Sequence, residues 1–149
     1  MAEKRKSTHL QDKTIVIGCG KLGAGIANQR WKKGKSVLVI DPNQESFLRL
    51  DKDFSGQTIV ADATDVEKLE NAGISNASEI VIATGSDNVN VFVAHLCANR
   101  YSPNSEIYVR LDDVNLGNLI ENIKNVNPIY PLELSLGKYK LYKEKGGRR

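Results

Sequence analysis

The stretch TIVIGCGKLG (residues 14–23) sets three glycines directly behind an apolar run. Gly18, Gly20 and Gly23 keep the spacing G-x-G-x-x-G. The run before them, rich in β-branched residues, reads as a buried strand. The chain from Lys21 to Lys33, stopped by Gly34, reads as a helix with a glycine just past its end. A side chain at the first or second glycine would obstruct the turn and the approach of a pyrophosphate, and the third lets helix and strand pack closely. The phosphates would rest on free N–H groups at the helix start. The competing reading is an ordinary tight strand-to-helix turn.

Working outward, further short apolar runs recur: SVLVI (36–40), TIVA (58–61), EIVIA (79–83), EIYVR (106–110) and PIY (128–130). They are nearly continuous, as strands buried on both faces should be. Helical spacing lies between them. Val89, Phe92, Val93, Leu96 and Cys97 follow i, i+3, i+4, i+7, i+8, and Leu116, Leu119, Ile120 and Ile123 repeat it. Residues 43–50 and 65–72 are two more helix candidates. Strand alternating with helix predicts an α/β, Rossmann-like, doubly wound parallel sheet of about six strands in one domain. Its ligand crevice would lie at the carboxyl ends of the strands.

Length, composition and charge narrow the class. At 149 residues the chain is one domain with enough length for a real core. It has no apolar run long enough to span a bilayer, and its start, MAEKRKSTHLQDK, lacks the apolar centre of a signal peptide. Two cysteines make no disulfide framework, which fits a reducing cytoplasm. Residues 138–149 hold six basic residues and one acid, net +5, and residues 1–13 hold four basic and two acidic, net +2. With +3 overall, the middle carries −4. A slightly acidic globule with basic ends is not a nucleic-acid-binding domain by charge. The ends read as solvated tails, or, for the C-terminal one, as a contact for an acidic partner or a membrane surface.

Each strand end carries candidate chemistry. After the second strand, in VLVIDPN, Asp41 lies 23 positions beyond Gly18, near the spacing of the acid that binds ribose hydroxyls. A carboxylate there would repel a 2′-phosphate, which disfavours NADP. After the third, in ADATD, Asp62 sits where an adenine edge would lie, and Asp65 reads as a helix cap. After the fourth, in IATGSDN, Thr84 and Gly85 would border the phosphates or the second nucleoside, with Ser86 or Asp87 as the next cap. Lys21 could reach a terminal phosphate as a point charge, which makes ADP or ATP as plausible as NAD.

These junctions in series resemble the TrkA-N, or RCK, family, the cytosolic nucleotide-binding domains of potassium channels and of Trk/Ktr transporters. GCGKLG, VLVIDPN, ADATDVEKLENAGI, IVIATGSDNVN and IYVRLDDVNLGNLIENIKNVNPIYP fit that pattern in order. The resemblance implies a domain binding NAD(H) or AMP, ADP and ATP, paired or in larger rings with copies of itself beneath a membrane-embedded potassium transporter or channel, hence cytoplasmic and peripheral to the membrane. Carried over, Gly18, Gly20 and Gly23, with Cys19 and Leu22 between them, take the phosphates and Lys21 a terminal phosphate. Asp41, with Pro42 and Asn43 beside it, takes the ribose. Asp62, Ala63 and Thr64 take the adenine side, and Ala83, Thr84, Gly85 and Asn88 the far side. Arg110 matches a basic position near the crevice. The expected organisation is an N-terminal tail (1–13), the nucleotide-binding domain (14–134) and a basic C-terminal tail (135–149). That tail leaves no room for the smaller second lobe that such proteins usually carry.

Two other readings compete with a regulatory subunit. A small NAD-dependent oxidoreductase needs a proton donor near the nicotinamide. Only His9 and His95 are present, and no Tyr-x-x-x-Lys pair sits in the catalytic place. A redox sensor would use Cys19, at a helix N-terminus where a thiol pKa can fall. No cluster has metal-ligand spacing. The reading that follows is a regulatory, non-enzymatic nucleotide-binding domain.

Overall fold

Isoleucine and valine alternate along the strands, and the alternation builds two unequal faces. The computed structural model describes residues 10–146. The strands are β1 (Gln11–Ile17), β2 (Ser36–Asp41), β3 (Gln57–Val60), β4 (Ala77–Ile82), β5 (Glu106–Arg110) and β6 (Val126–Ile129). All pair in parallel, in the order β3-β2-β1-β4-β5-β6. The order reverses between β1 and β4, and the register sets Ile17 beside Ile40 on one flank and Ile82 on the other. This is the doubly wound sheet expected from sequence.

The helices are α1 (Lys21–Lys32), α2 (Val66–Asn71), α3 (Asp87–Leu96) and α4 (Pro131–Gly146). Val16, Val37, Val39 and Val81 face α1, which meets them with Ala24 and Ala27. Small side chains on both sides let α1 lie close to the sheet. Ile15, Ile17, Leu38, Ile40, Ile80 and Ile82 point to the other face, with Leu69 of α2 and Val93 and Ala94 of α3. Each such Ile or Leu, fully buried, contributes about 1.5–3 kcal/mol. Trp31 packs on Phe54, ring centroids 5.4 Å apart, at the edge of the valine face. α1 ends with Gly34 at φ +81°, where Gly34 N–H donates to the Trp31 carbonyl and Lys35 N–H to that of Arg30. That double bond pattern closes a helix on a left-handed residue.

Several elements differ from the periodicity. Residues 44–49 and 114–119 form 3-10 turns, not α-helices. Asn43 and Asp113 each accept an N–H two residues on, which tightens the turn at its start. At Gly117 the Tyr130 hydroxyl occupies the place a Cβ would take. β1 begins at Gln11, inside the stretch expected as a tail. Residues 131–146 are helical, which takes in most of the stretch 135–149 expected as a basic tail, and no residue of that helix is buried. The expectations for residues 1–9, His9 among them, and for residues 147–149 fall outside the described residues.

Candidate nucleotide site

The carboxyl ends of β1, β2, β3, β4 and β5 surround a crevice of about 420 Å³. Its near wall comes from the first three strand ends: Gly18, Gly20, Asp41, Pro42, Ser46, Asp62 and Ala63. Its far wall comes from the fourth and fifth: Ala83, Thr84, Gly85, Ser86, Val89 and Arg110. A crevice at the reversal of strand order is where this sheet class holds a nucleotide.

Packing requires a glycine at two of the three positions, whereas at Gly20 a side chain would not obstruct the turn, contrary to the expectation from spacing. Gly18 has φ +102°, and a Cβ there would stand 2.5 Å from the Ala83 carbonyl oxygen. A Cβ on Gly23 would collide with the Gly18 carbonyl oxygen. Around Gly20 there is open space, on the crevice side. α1 starts with Gly20 as its cap residue, with no side-chain cap and no acid in its first turn. Its first N–H groups therefore lack a protein acceptor along the helix and carry the positive end of the helix dipole, which suits a phosphate.

Cys19 anchors the loop from beneath. Its N–H donates to Asp41 Oδ2 at 2.8 Å, its thiol to the Ser46 carbonyl at 3.3 Å, and its carbonyl accepts from Arg49 at 3.3 Å. Burial, helped by the Asp41 charge, pushes the thiol pKa above its ordinary value, and Arg49 only partly offsets this. That direction is opposite to the lowered pKa by which a redox-sensing thiol is activated. Cys97 is buried and pushed up to about 12, chiefly by desolvation.

Asp41 uses both oxygens: Oδ1 accepts Asn43 N–H at 2.8 Å while Oδ2 holds the glycine loop. Asp62 Oδ1 accepts the Thr64 hydroxyl at 2.6 Å and its N–H at 2.8 Å, and these bonds hold its pKa below the usual value. Arg110 reaches the crevice while paired to Asp112 at 3.3 Å.

The structure brings ten of the seventeen residues singled out from sequence to the crevice lining: Gly18, Gly20, Asp41, Pro42, Asp62, Ala63, Ala83, Thr84, Gly85 and Arg110. Cys19 and Gly23 are buried behind it, and Leu22 is half-buried in α1. Lys21, Asn43, Thr64 and Asn88 are exposed and outside the lining. Ser46, Ser86 and Val89 line the crevice without having been singled out as ligand residues. Ser86 also caps α3, accepting Val89 N–H at 3.3 Å, while Asp87 accepts the N–H groups of Asp112 and Asp113. His95 bonds the Leu119 carbonyl at 2.8 Å, away from the crevice. Among the described residues no group of His, Cys, Asp and Glu is placed to hold a metal ion, and no helix is long and apolar enough to cross a membrane.

The sequence model of the TrkA-N domain matches residues 14–129. The Trk system potassium uptake protein TrkA homolog of Pyrococcus horikoshii is 30% identical over 121 residues, which is 81% of this chain and 53% of that protein. The chain thus spans about half the length of that curated relative. Among solved structures, the GsuK channel bound to NAD superposes with a TM-score of 0.68 at 19% identity, over 92% of this chain and 26% of that one. GsuK bound to ADP gives 0.73 at 18% identity, over 91% and 34%.

Proposed function

The chain belongs to the TrkA-N domain family, and from that premise we propose that it is a nucleotide-sensing regulatory unit of a potassium uptake or channel system. The observation that carries the reading is the crevice itself. A glycine turn, an uncapped helix start and an ionisable acid at the next strand end meet at the point where strand order reverses. The ligand would be NAD(H) or an adenine nucleotide, AMP, ADP or ATP. The phosphates would lie on Gly18, Gly20 and the first turn of α1, the ribose on Asp41 and the adenine beside Asp62. NADP is disfavoured, because its 2′-phosphate would meet the Asp41 carboxylate. GsuK, of like fold, has been solved with both NAD and ADP.

The proposed partner is a membrane-embedded potassium transporter or channel subunit, with the domain on the cytoplasmic side. Homo-oligomers, dimers or larger, would give the signal its reach. α4 supports that part of the reading. Leu132, Leu136 and Tyr139 follow i, i+4, i+7 on one side, Leu134 and Leu141 lie on the other, and all are exposed. A helix with two apolar stripes needs two partners to cover it.

Nothing covalent is required of the protein. A nucleotide shifts an equilibrium between two conformations or interfaces by its differential affinity for them, and no further. The oxidoreductase reading gains no support from the lining, where the described histidine does not lie. Calorimetric titration with NAD, NADH, AMP, ADP, ATP and NADP tests the proposal. Discriminating binding without turnover is expected. Preference for NADP, or no binding, would remove the physical basis of the sensor.

A further inference from the structure

One buried side chain behind the far wall makes four hydrogen bonds. Asn90, in α3, is 0% exposed. Its Oδ1 accepts the Thr84 N–H at 3.1 Å and the Thr84 hydroxyl. Its Nδ2 donates to the Thr84 carbonyl at 3.1 Å and to the Arg110 carbonyl at 2.9 Å. A carboxamide has two N–H donors and two acceptor lone pairs, so this one is saturated. Thr84 is gripped through its N–H, its carbonyl and its hydroxyl at once, and Arg110, 20 residues on, through its carbonyl.

One turn earlier in α3, the Asp87 carboxylate accepts Asp112 N–H at 3.0 Å and Asp113 N–H at 2.9 Å. The β4–α3 junction and the exit of β5 are therefore tied together twice. In a buried, low-dielectric setting an unpaired polar group is costly, so Thr84 and Arg110 cannot move apart without stranding one.

We propose that Asn90 is a positioning residue for the second nucleoside of a dinucleotide. It fixes Thr84, Gly85 and Arg110 in the far wall before the ligand arrives, so that binding there does not have to order the wall. The inference rests on the nucleotide-binding reading above and adds a specific division of labour. A mononucleotide is held by the near wall, through Asp41 and Asp62. A dinucleotide laid across the strand-order reversal sets its second nucleoside against the wall that Asn90 holds.

The test is calorimetric titration of the parent chain, Asn90→Ala and Asn90→Asp with NAD and with AMP, with thermal melting as the check of folding. Asn90→Asp keeps the size and both acceptor bonds but sets a carboxylate against two carbonyl oxygens. The expected result is NAD weakened about ten-fold and AMP held within about two-fold. A merely structural amide would move both ligands together, so equal losses, or no loss of either, would overturn the inference. A parent that binds AMP but not NAD would sink it while leaving the nucleotide reading intact. A parent that binds neither would sink both. If neither variant folds, amide exchange in the parent decides. A Thr84 amide, the one that bonds Asn90 Oδ1, protected without ligand and unchanged by AMP supports a pre-positioned wall. Fast exchange that slows only with NAD shows a wall ordered by the ligand and overturns it.

Discussion

Asp41→Ala separates two tasks that one carboxylate performs. In the free protein its Oδ2 holds the Cys19 N–H and its Oδ1 the Asn43 N–H, each at 2.8 Å. Cys19 is 0% exposed, so water does not replace the lost acceptor. A stranded buried donor costs about 1–3 kcal/mol, whereas the exposed Asn43 N–H recovers its bond from solvent. Taking about 2 kcal/mol, a chain of this length melts roughly 4–8 °C lower. The ligand loses ribose bonds to an ionised group as well, which weakens NAD or AMP by roughly 10- to 100-fold. Asp41→Asn keeps one acceptor oxygen but turns an NH2 toward one of the two backbone donors. It should fall between the parent and Asp41→Ala in melting. Without the charge, it should also narrow the gap between NAD and NADP. Thermal melting and calorimetry at one fixed salt concentration read both effects. Melting within about 1 °C of the parent would refute the loop tie. A folded Asp41→Ala with unchanged affinity would refute the ribose assignment.

Two glycines of the loop should differ in stability when substituted, though both lose affinity. Gly23→Ala drives a methyl into the Gly18 carbonyl, backbone that cannot turn aside, and should cost about 3 kcal/mol or more with loss of binding. Gly20→Ala meets open space, so melting should hold while the methyl intrudes on the crevice and weakens phosphate-bearing ligands; intact affinity would place the phosphates elsewhere. Lys21→Ala should weaken ATP about two- to five-fold with AMP unchanged, as suits an exposed charge on a terminal phosphate, and equal losses would end that role. Both thiols should resist alkylation at pH 8 until the chain is unfolded; ready labelling of native Cys19 would restore the redox reading. Cys97, with a folded pKa of about 12 against 9.0, adds stability that is fully present below pH 9. That stability should fall as pH rises from 9 toward 12, where only the unfolded chain ionises, and chemical denaturation across that range would show it.

How much was legible depends on the distance over which each residue acts. The glycine turn and Asp41 work within a strand end and the next few residues, where spacing alone states the geometry. The sheet was legible because Ile and Val runs buried on both faces have few alternatives. Asn90 was not, because its partners include a carbonyl 20 residues away, and in the sequence it is one polar letter on an apolar helix. Ser46 was missed for a similar reason: it enters the crevice only because residues 44–49 tighten into a 3-10 turn under the Cys19 carbonyl and thiol. The spacing of Leu116, Leu119, Ile120 and Ile123 suggested an α-helix, but Asp113 and the Tyr130 hydroxyl shape that segment, and neither lies within the pattern. α4 hid its order because its apolar residues divide between two sides, which blurs any single stripe.

The two braces constrain how a nucleotide could signal. Each oxygen of Asp41 has a second lone pair, so ribose hydroxyls can bond to it without displacing Cys19 or Asn43. On the far side, Asn90 already holds Thr84 through its N–H, carbonyl and hydroxyl. A ligand that adds bonds to walls already formed leaves each wall as it was. The walls end neighbouring strands of one sheet, with Ala83 N–H donating to the Ile17 carbonyl, so its differential affinity must then come from elements beyond them. Of these, α4 is the least committed, since it follows β6 with no residue buried. On this reading the useful distinction among nucleotides is reach. A mononucleotide would bond to the near wall, whereas a dinucleotide would bond to both. The two would bias a paired assembly differently even at equal affinity.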